Sequence, residues 1–232
     1  MEASFPLKQI LQRYAHPLEN NLLHSYYELK DLNIDKNFIY ALLRSFENDS
    51  EFSPRDFSNF PLAIIVDYIR RTHRLYLSKK LGEIEQSIDI LLKNYEDNHP
   101  LLLILKTFFH DYKTHLTTHI KFEERHLLPY IDSLIEAGNG NTHKLESIIA
   151  DKNFRIQTFI DSHADTESDL SEVRSAILSY DPPNTNQTPY RILITQLEMF
   201  ESDLRIHALI EDKVLVPRAQ QLEQELSQMR RS

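Results

Sequence analysis

One phrase occurs twice in this chain. It begins first at His119, as His-Ile-Lys-Phe-Glu123-Glu124-Arg125-His126-Leu127-Leu128-Pro129, and again at His207, as His-Ala-Leu-Ile-Glu211-Asp212-Lys213-Val214-Leu215-Val216-Pro217. Both read H-x3-E-[ED]-[RK]-x-L-x-P. Residues four apart lie on one face of an α-helix, so each copy aims an imidazole and a carboxylate at the same spot, about one turn apart. A single His/Glu pair at this spacing is common on solvent-facing helices. A second copy with a matched acid-base-x-Leu-x-Pro tail marks two segments in equivalent structural positions, as internal repeats do. Two such helical arms can grip a metal ion.

Composition narrows the fold and the chemistry. The chain has 232 residues, enough for a full hydrophobic core, yet only 3 glycines. So little glycine leaves few positions for tight hairpin turns, while Leu, Ile, Glu, Lys and Gln are abundant, so an all-α protein is expected. There are no cysteines, which excludes disulfides, thiolate zinc sites, iron-sulfur ligation and a cysteine nucleophile; a bound metal must use nitrogen and oxygen. A net charge of -9 and the lack of a long basic run argue against a nucleic-acid surface. No long uncharged apolar stretch or N-terminal signal pattern occurs, so no membrane association and a cytoplasmic location are expected.

The chain divides into a small helical N-terminal unit, residues 1–57, and a bundle, residues 58–232. The first unit has helical patterns at Leu7–Tyr14, Leu22–Leu32 and Asp35–Phe46, then Pro54 within a polar run from Glu47 to Ser58. After Pro61 four long helices are predicted. The first runs from Leu62 to about Tyr95, ending before Asp97-Asn98-His99-Pro100, since a residue before proline is pushed out of the α region. The second spans about Leu101 to Glu136, stopping at Gly138-Asn139-Gly140-Asn141, with Pro129 expected to kink it or end its straight part. The third covers about Thr142 to Tyr180, up to Pro182-Pro183. The fourth runs from Pro189 to about Arg230, with Pro217 placed as Pro129 is in the second. Long helices joined by short loops predict an up-down-up-down four-helix bundle, whose interior is where facing helices build metal sites.

Steps of three and four trace an inward stripe along each helix. The second gives Phe108, Tyr112, His115, His119, Glu123 and His126; the fourth gives Phe200, Leu204, His207, Glu211 and Val214. On the first lie Ile65, Ile69, His73 and Tyr76, and on the third Ile156, Phe159, His163, Glu167 and Leu170. A buried carboxylate or imidazole without a partner is costly, and a metal would offset the burial. His73 and His163 sit near the middle of their helices, level with His119 and His207 in an antiparallel bundle. Two bridging carboxylates with several neutral imidazoles suit a pair of iron ions better than zinc, whose structural sites close with four ligands, or calcium, which takes oxygen. Glu123-x-x-His126 also matches the E-x-x-H of ferritin-like di-iron oxidases, but that architecture needs a second copy and Val214 occupies the place after Glu211. His16, His24, His110 and His143 are assigned to solvent faces, and His115 to a supporting or core role.

His73, the two repeated segments and His163 in Ser162-His163-Ala164-Asp165 resemble the hemerythrin-like domain, most closely as it occurs in the iron-sulfur cluster repair family. Pro61-Leu62-Ala63, Asp67-Tyr68-Ile69 and Thr72-His73-Arg74-Leu75-Tyr76-Leu77 are similar to the start of that domain, and the resemblance covers about residues 60 to 220. It implies a non-haem di-iron site bridged by Glu123 and Glu211, with histidines as terminal ligands, and a role in tolerance of nitric oxide or oxidative stress. Two departures stand out. The repair proteins close their first helix with a further ligand histidine where this chain has Tyr95; either Tyr95 ligates as a phenolate, or His99 takes over from the turn, or water fills the position, with His99 slightly preferred. Their small N-terminal domain often carries a paired-cysteine motif, and residues 1–57 have none, which leaves this unit as a packing or homodimer-contact module.

The functional expectation is therefore a di-iron protein that handles nitric oxide, oxygen or iron during stress and delivers iron to damaged iron-sulfur proteins; whether it turns over as an enzyme stays open. The rival readings are an oxygen or redox sensor of hemerythrin type, with a small diatomic ligand, and a metal-free structural bundle.

Overall fold

The computed structural model describes residues 5–14, 35–94, 100–141, 143–144, 155–162, 175 and 187–229. Among them every regular element is helical and no strand occurs. Helix α1 is Phe5–Leu11 and α2 is Lys36–Glu47, followed by two 3-10 turns, Asp49–Glu51 and Pro54–Phe57. The first long helix runs unbroken as α3 (Leu62–Leu75), a π turn (Tyr76–Lys80) and α4 (Leu81–Asn94). The second is α5 (Pro100–Phe122), a π turn (Glu123–Leu127) and α6 (Leu128–Gly138). A short α7 (Ile156–Ser162) lies within the predicted third helix. The last long helix comprises α8 (Thr188–Ile210), a π turn (Glu211–Leu215) and α9 (Val216–Met229).

Local chemistry sets the ends. Asp35 caps α2, its side chain accepting from the Asn37 amide at 2.8 Å and satisfying one of the orphan donors of the first turn. At the far end of α6 the Asn141 amide donates to the Glu136 carbonyl and the Gly140 amide to that of Ala137. These two bonds form a Schellman stop, which requires a left-handed residue, and Gly140 supplies it at φ 95°.

The π turns show how the chain accommodates Pro129. Proline lacks an N–H and its ring clashes with the carbonyl four residues back, so a straight α-helix cannot pass through it. Here the turn just before it widens: the Leu128 amide donates to Glu123, five residues back, and the Val216 amide likewise to Glu211, one residue before Pro217. The ladder changes register where the proline donor is missing, and α-helical hydrogen bonding resumes beyond it.

The chain forms two compact units, and each long helix contributes to both. Unit one holds Met1–Leu75, Ile131–Ile156 and Ile206–Ser232; unit two holds Tyr76–Tyr130 and Gln157–Arg205. In unit one Phe38 of α2 meets Phe57, Phe60 and Tyr68 edge-on at 5.9, 5.2 and 5.9 Å between ring centres, a favoured arrangement of aromatic quadrupoles. Arg218 of α9 donates to the Phe57 carbonyl at 3.1 Å, and partial burial lowers its pKa. Arg70 pairs with Asp132. Unit two packs Leu81, Ile84, Ile88 and Leu91 of α4 against Leu105, Phe109, Tyr112 and Leu116 of α5 and Leu193, Leu197 and Phe200 of α8. This apolar column is what holds the helices in register.

The inward stripe of α5 differs from the expected walk. Phe108, His115 and His126 are exposed, and the buried line runs through Leu105, Phe109, Tyr112, Leu116 and Ile120 to Glu123 and Leu127. The walk began one residue early at Phe108 and strayed again at His115. Past Glu123 the π turn moves the next inward place from His126 to Leu127. His115 therefore has no core role. The stripes on α3 and α8 hold as predicted, with Ile65, Ile69, His73, Tyr76, Phe200, Leu204, His207, Glu211 and Val214 all buried.

Candidate metal centre

In unit one α3 delivers His73 and the last long helix delivers His207 and Glu211. His73 is 1 % exposed, His207 6 % and Glu211 2 %. The two imidazoles meet edge-on at 5.0 Å between ring centres, and His207 Nε2 lies 3.4 Å from Glu211 Oε2. Each of the three offers a ligand atom, and these atoms lie within 4.8 Å of one another. The four-residue spacing is what lines His207 up with Glu211, because the backbone stays α-helical from one to the other and widens only from Glu211 onward.

In unit two the first copy of the phrase places His119 Nε2 at 2.7 Å from Glu123 Oε1. Glu123 is fully buried, at 0 % exposure, whereas the His119 side chain keeps 17 %. Each copy thus puts its glutamate at the first position of a π turn and its histidine one α-turn before. π turns are rare and recur at functional sites. Their sequence signal is the proline six residues after each glutamate, Pro129 and Pro217.

Burying carboxylates at 0 and 2 % exposure carries a desolvation cost that opposite charge must offset. Neutral imidazoles supply hydrogen bonds but no charge, and a coordinated cation supplies both. The donors are nitrogen and oxygen, without thiolate, a set that suits iron among the transition metals and is too nitrogen-rich for calcium. The residues therefore fit a non-haem metal centre.

His163, His99 and Tyr95 lie outside the described residues, as do His16 and His24. His110 and His143 are exposed, in keeping with their assignment to solvent faces. Among the described residues no helix is long and apolar enough to cross a membrane.

The profile of the Hemerythrin HHE cation binding domain matches residues 65–219. This chain belongs to that family. The matched span contains His73, His119, Glu123, His207 and Glu211, and with the helical architecture it makes the fold an all-α, hemerythrin-like four-helix bundle. The iron-sulfur cluster repair protein ScdA of Staphylococcus haemolyticus is 23 % identical over 151 residues, which is 65 % of this chain and 64 % of that protein. ScdA of Staphylococcus epidermidis is 21 % identical over 183 residues, 79 % of this chain and 78 % of that protein. The hemerythrin-domain match begins after α1 and α2.

Proposed function

We propose that this hemerythrin-family chain is a non-haem di-iron protein that serves in iron-sulfur cluster repair under nitric oxide or oxidative stress. The observation that carries the reading is the buried group His73, His207 and Glu211, with ligand atoms within 4.8 Å of one another. In this reading Glu123, the buried glutamate of the first copy, would join them and with Glu211 would hold the two metal ions. His73, His119, His207 and His163 would be terminal ligands, and His99 would take the remaining place, with Tyr95 or water as its substitutes. The similarity to the two ScdA proteins supports the repair role.

Iron in such a pocket would supply reversible binding of a small diatomic ligand and one-electron chemistry. The chain's own contribution is a dry, low-dielectric enclosure in which two carboxylates offset part of the metal charge and imidazoles leave the rest uncompensated. That balance favours ligand binding, electron transfer or release of iron over oxidation of C–H bonds, because the high-valent states such oxidation needs are stabilised by more negative ligands. A damaged iron-sulfur protein is the partner this reading implies.

Anaerobic purification from iron-replete cells, with iron quantification and optical spectroscopy, tests it. About two irons per chain are expected from a di-iron site, lost in His207→Ala and Glu123→Ala. Metal-free protein from the same preparation would leave only a structural bundle. One observation favours a second reading, a ligand or redox sensor of the same fold: the N-terminal segment grips α3 beside His73, which gives a change at the site a route outward. Transfer of iron to an apo iron-sulfur protein separates the two, since a sensor keeps its metal.

A further inference from the structure

We infer that Arg13, at the end of the N-terminal helix, is a positioning residue for the metal centre, acting through Thr72 on His73; the inference rests on the metal reading above. Arg13 is 5 % exposed. Its Nε donates to Thr72 Oγ1 at 2.7 Å, and a terminal nitrogen donates to the Gln9 carbonyl at 2.8 Å. The guanidinium lies over the rings of Tyr68 and Phe46, 5.3 and 5.8 Å from their centres. Thr72, at 0 % exposure, in turn donates to the Tyr68 carbonyl at 2.9 Å.

Each link constrains the next. A threonine inside a helix that bonds back to the carbonyl four residues earlier bends or loosens that turn when left to itself. Donation from Arg13 fixes the hydroxyl in one orientation, so the turn that carries His73 is held from outside the helix. The neighbouring residue repeats the grip: Arg71, paired with Asp67 at 2.6 Å, lies over the Tyr14 ring at 5.1 Å. Residues 13 and 14 together clasp positions 67 to 72, the last turn and a half before the ligand.

A plain packing role does not account for this side chain. A guanidinium stays charged at every relevant pH and loses much hydration on burial, while a methionine of similar length would fill the space without that cost. What arginine adds is a rigid fork of donors in a fixed plane. Outer residues of this kind orient a metal-ligating histidine and change metal affinity when removed. The N-terminal segment, which the family match does not include, is in this way part of the site's frame.

The test compares Arg13→Met, Arg13→Lys, Thr72→Val and the Arg13→Met/Thr72→Val pair in the full chain. Fe(II) binding is measured anaerobically by competition with a chelator, and the His73 and His119 imidazole NMR signals are followed in metal-free protein. Arg13→Met and Thr72→Val should each weaken Fe(II) binding about 10- to 100-fold, the double variant no further than the stronger single one, with Arg13→Lys in between. In metal-free protein His73 should shift and His119 should not. Fe(II) binding that is unchanged in Arg13→Met, additive losses in the pair, or equal shifts at His73 and His119 would overturn the inference while leaving the metal reading intact. Absence of Fe(II) binding by the unmodified chain sinks the metal reading instead, and that result is separable because the NMR arm needs no metal.

Discussion

The two copies of the repeated phrase make the same backbone and different neighbourhoods. In unit two His119 leans directly on Glu123, at 2.7 Å, and keeps an edge toward solvent. In unit one His207 stands farther from Glu211, at 3.4 Å, is nearly sealed off, and rests against His73. Both glutamates open a π turn. The carboxylate positions are thus fixed by a shared device in the backbone, while each histidine takes its setting from whatever packs around it. One arm has its imidazole engaged by its own carboxylate; the other has its imidazole placed for a second imidazole. The glutamates are the constant of the design and the histidines its variable.

The largest effect should come from attacking that constant. If both carboxylates span the same metal pair, Glu123→Ala and Glu211→Ala should lower iron content equally, from about two per chain to below one, as expected when a di-iron site loses a bridging group. Elemental analysis after anaerobic purification reads this directly. A variant that keeps one full iron while its counterpart loses both would show that the copies serve separate ions and would break the symmetry.

The histidines should then diverge in metal-free protein. Truncating His207 opens a hole beside His73 in a sealed interior, and His207→Ala should cost about 2–4 kcal/mol, the range for large-to-small changes in a core. His119, with part of its ring in solvent, opens less of a hole, and His119→Ala should cost about 1–2 kcal/mol, from loss of its 2.7 Å contact with the buried Glu123 carboxylate. Urea unfolding of the two metal-free variants, side by side, gives the difference. Equal losses would mean that His119 is as embedded as His207 and that the contrast between the copies is superficial.

A third, smaller effect separates the surroundings of the two copies by pH. Tyr14 anchors the N-terminal helix in unit one, and burial, with the nearby Tyr68 adding to it, pushes its phenol pKa well above the usual tyrosine value. Above pH 10 the unfolded chain then releases the Tyr14 proton while the folded chain keeps it. The folded state binds more protons, so stability falls as pH rises, by at most about 1.4 kcal/mol per pH unit for one group. Tyr14→Phe should flatten the stability profile between pH 10 and 11 relative to the unmodified chain. Parallel profiles would show that Tyr14 ionises freely and that the clasp on α3 is open.

Much of this was legible in the residues. The repeated phrase located both glutamates and their histidines, the shortage of glycine foretold an all-α chain, and the stripes on α3 and α8 named their buried residues correctly. The stripe on α5 differs because periodicity alone cannot tell whether a walk begins at Phe108 or Phe109, and at the π turn the two copies part, His126 being exposed where Val214 is buried. Pro129 and Pro217 carried the information, since a proline in the same place after each glutamate needs a common solution. Arg13 was out of reach for a different reason. Its partner Thr72 lies far along the chain, and nothing in the local pattern of either segment distinguishes a buried arginine from the solvent-facing ones around it.

The smallest expected effect concerns the outer rim of unit two. Lys106 donates to Asp89 at 2.8 Å, and that hydrogen bond, followed by the carboxylate's charge, raises the lysine pKa. A raised pKa adds stability that is fully present below the lysine's ordinary value near 10.5 and is lost only as pH climbs past the folded value. Between pH 6 and 9 the pair therefore contributes a constant amount, and because Lys106 and Asp89 are both exposed, water and salt screen most of it. Lys106→Ala should leave the urea midpoint and the Fe(II) affinity where they are across that range, and any residual difference should vanish in concentrated salt. Unit two would then owe its register to the apolar column from Leu81 to Phe200, and the carboxylate of Glu123 would be held by that column rather than by charges at its edge. A loss that survives high salt would reverse the assignment, making the charged rim part of what holds the first copy of the phrase in place.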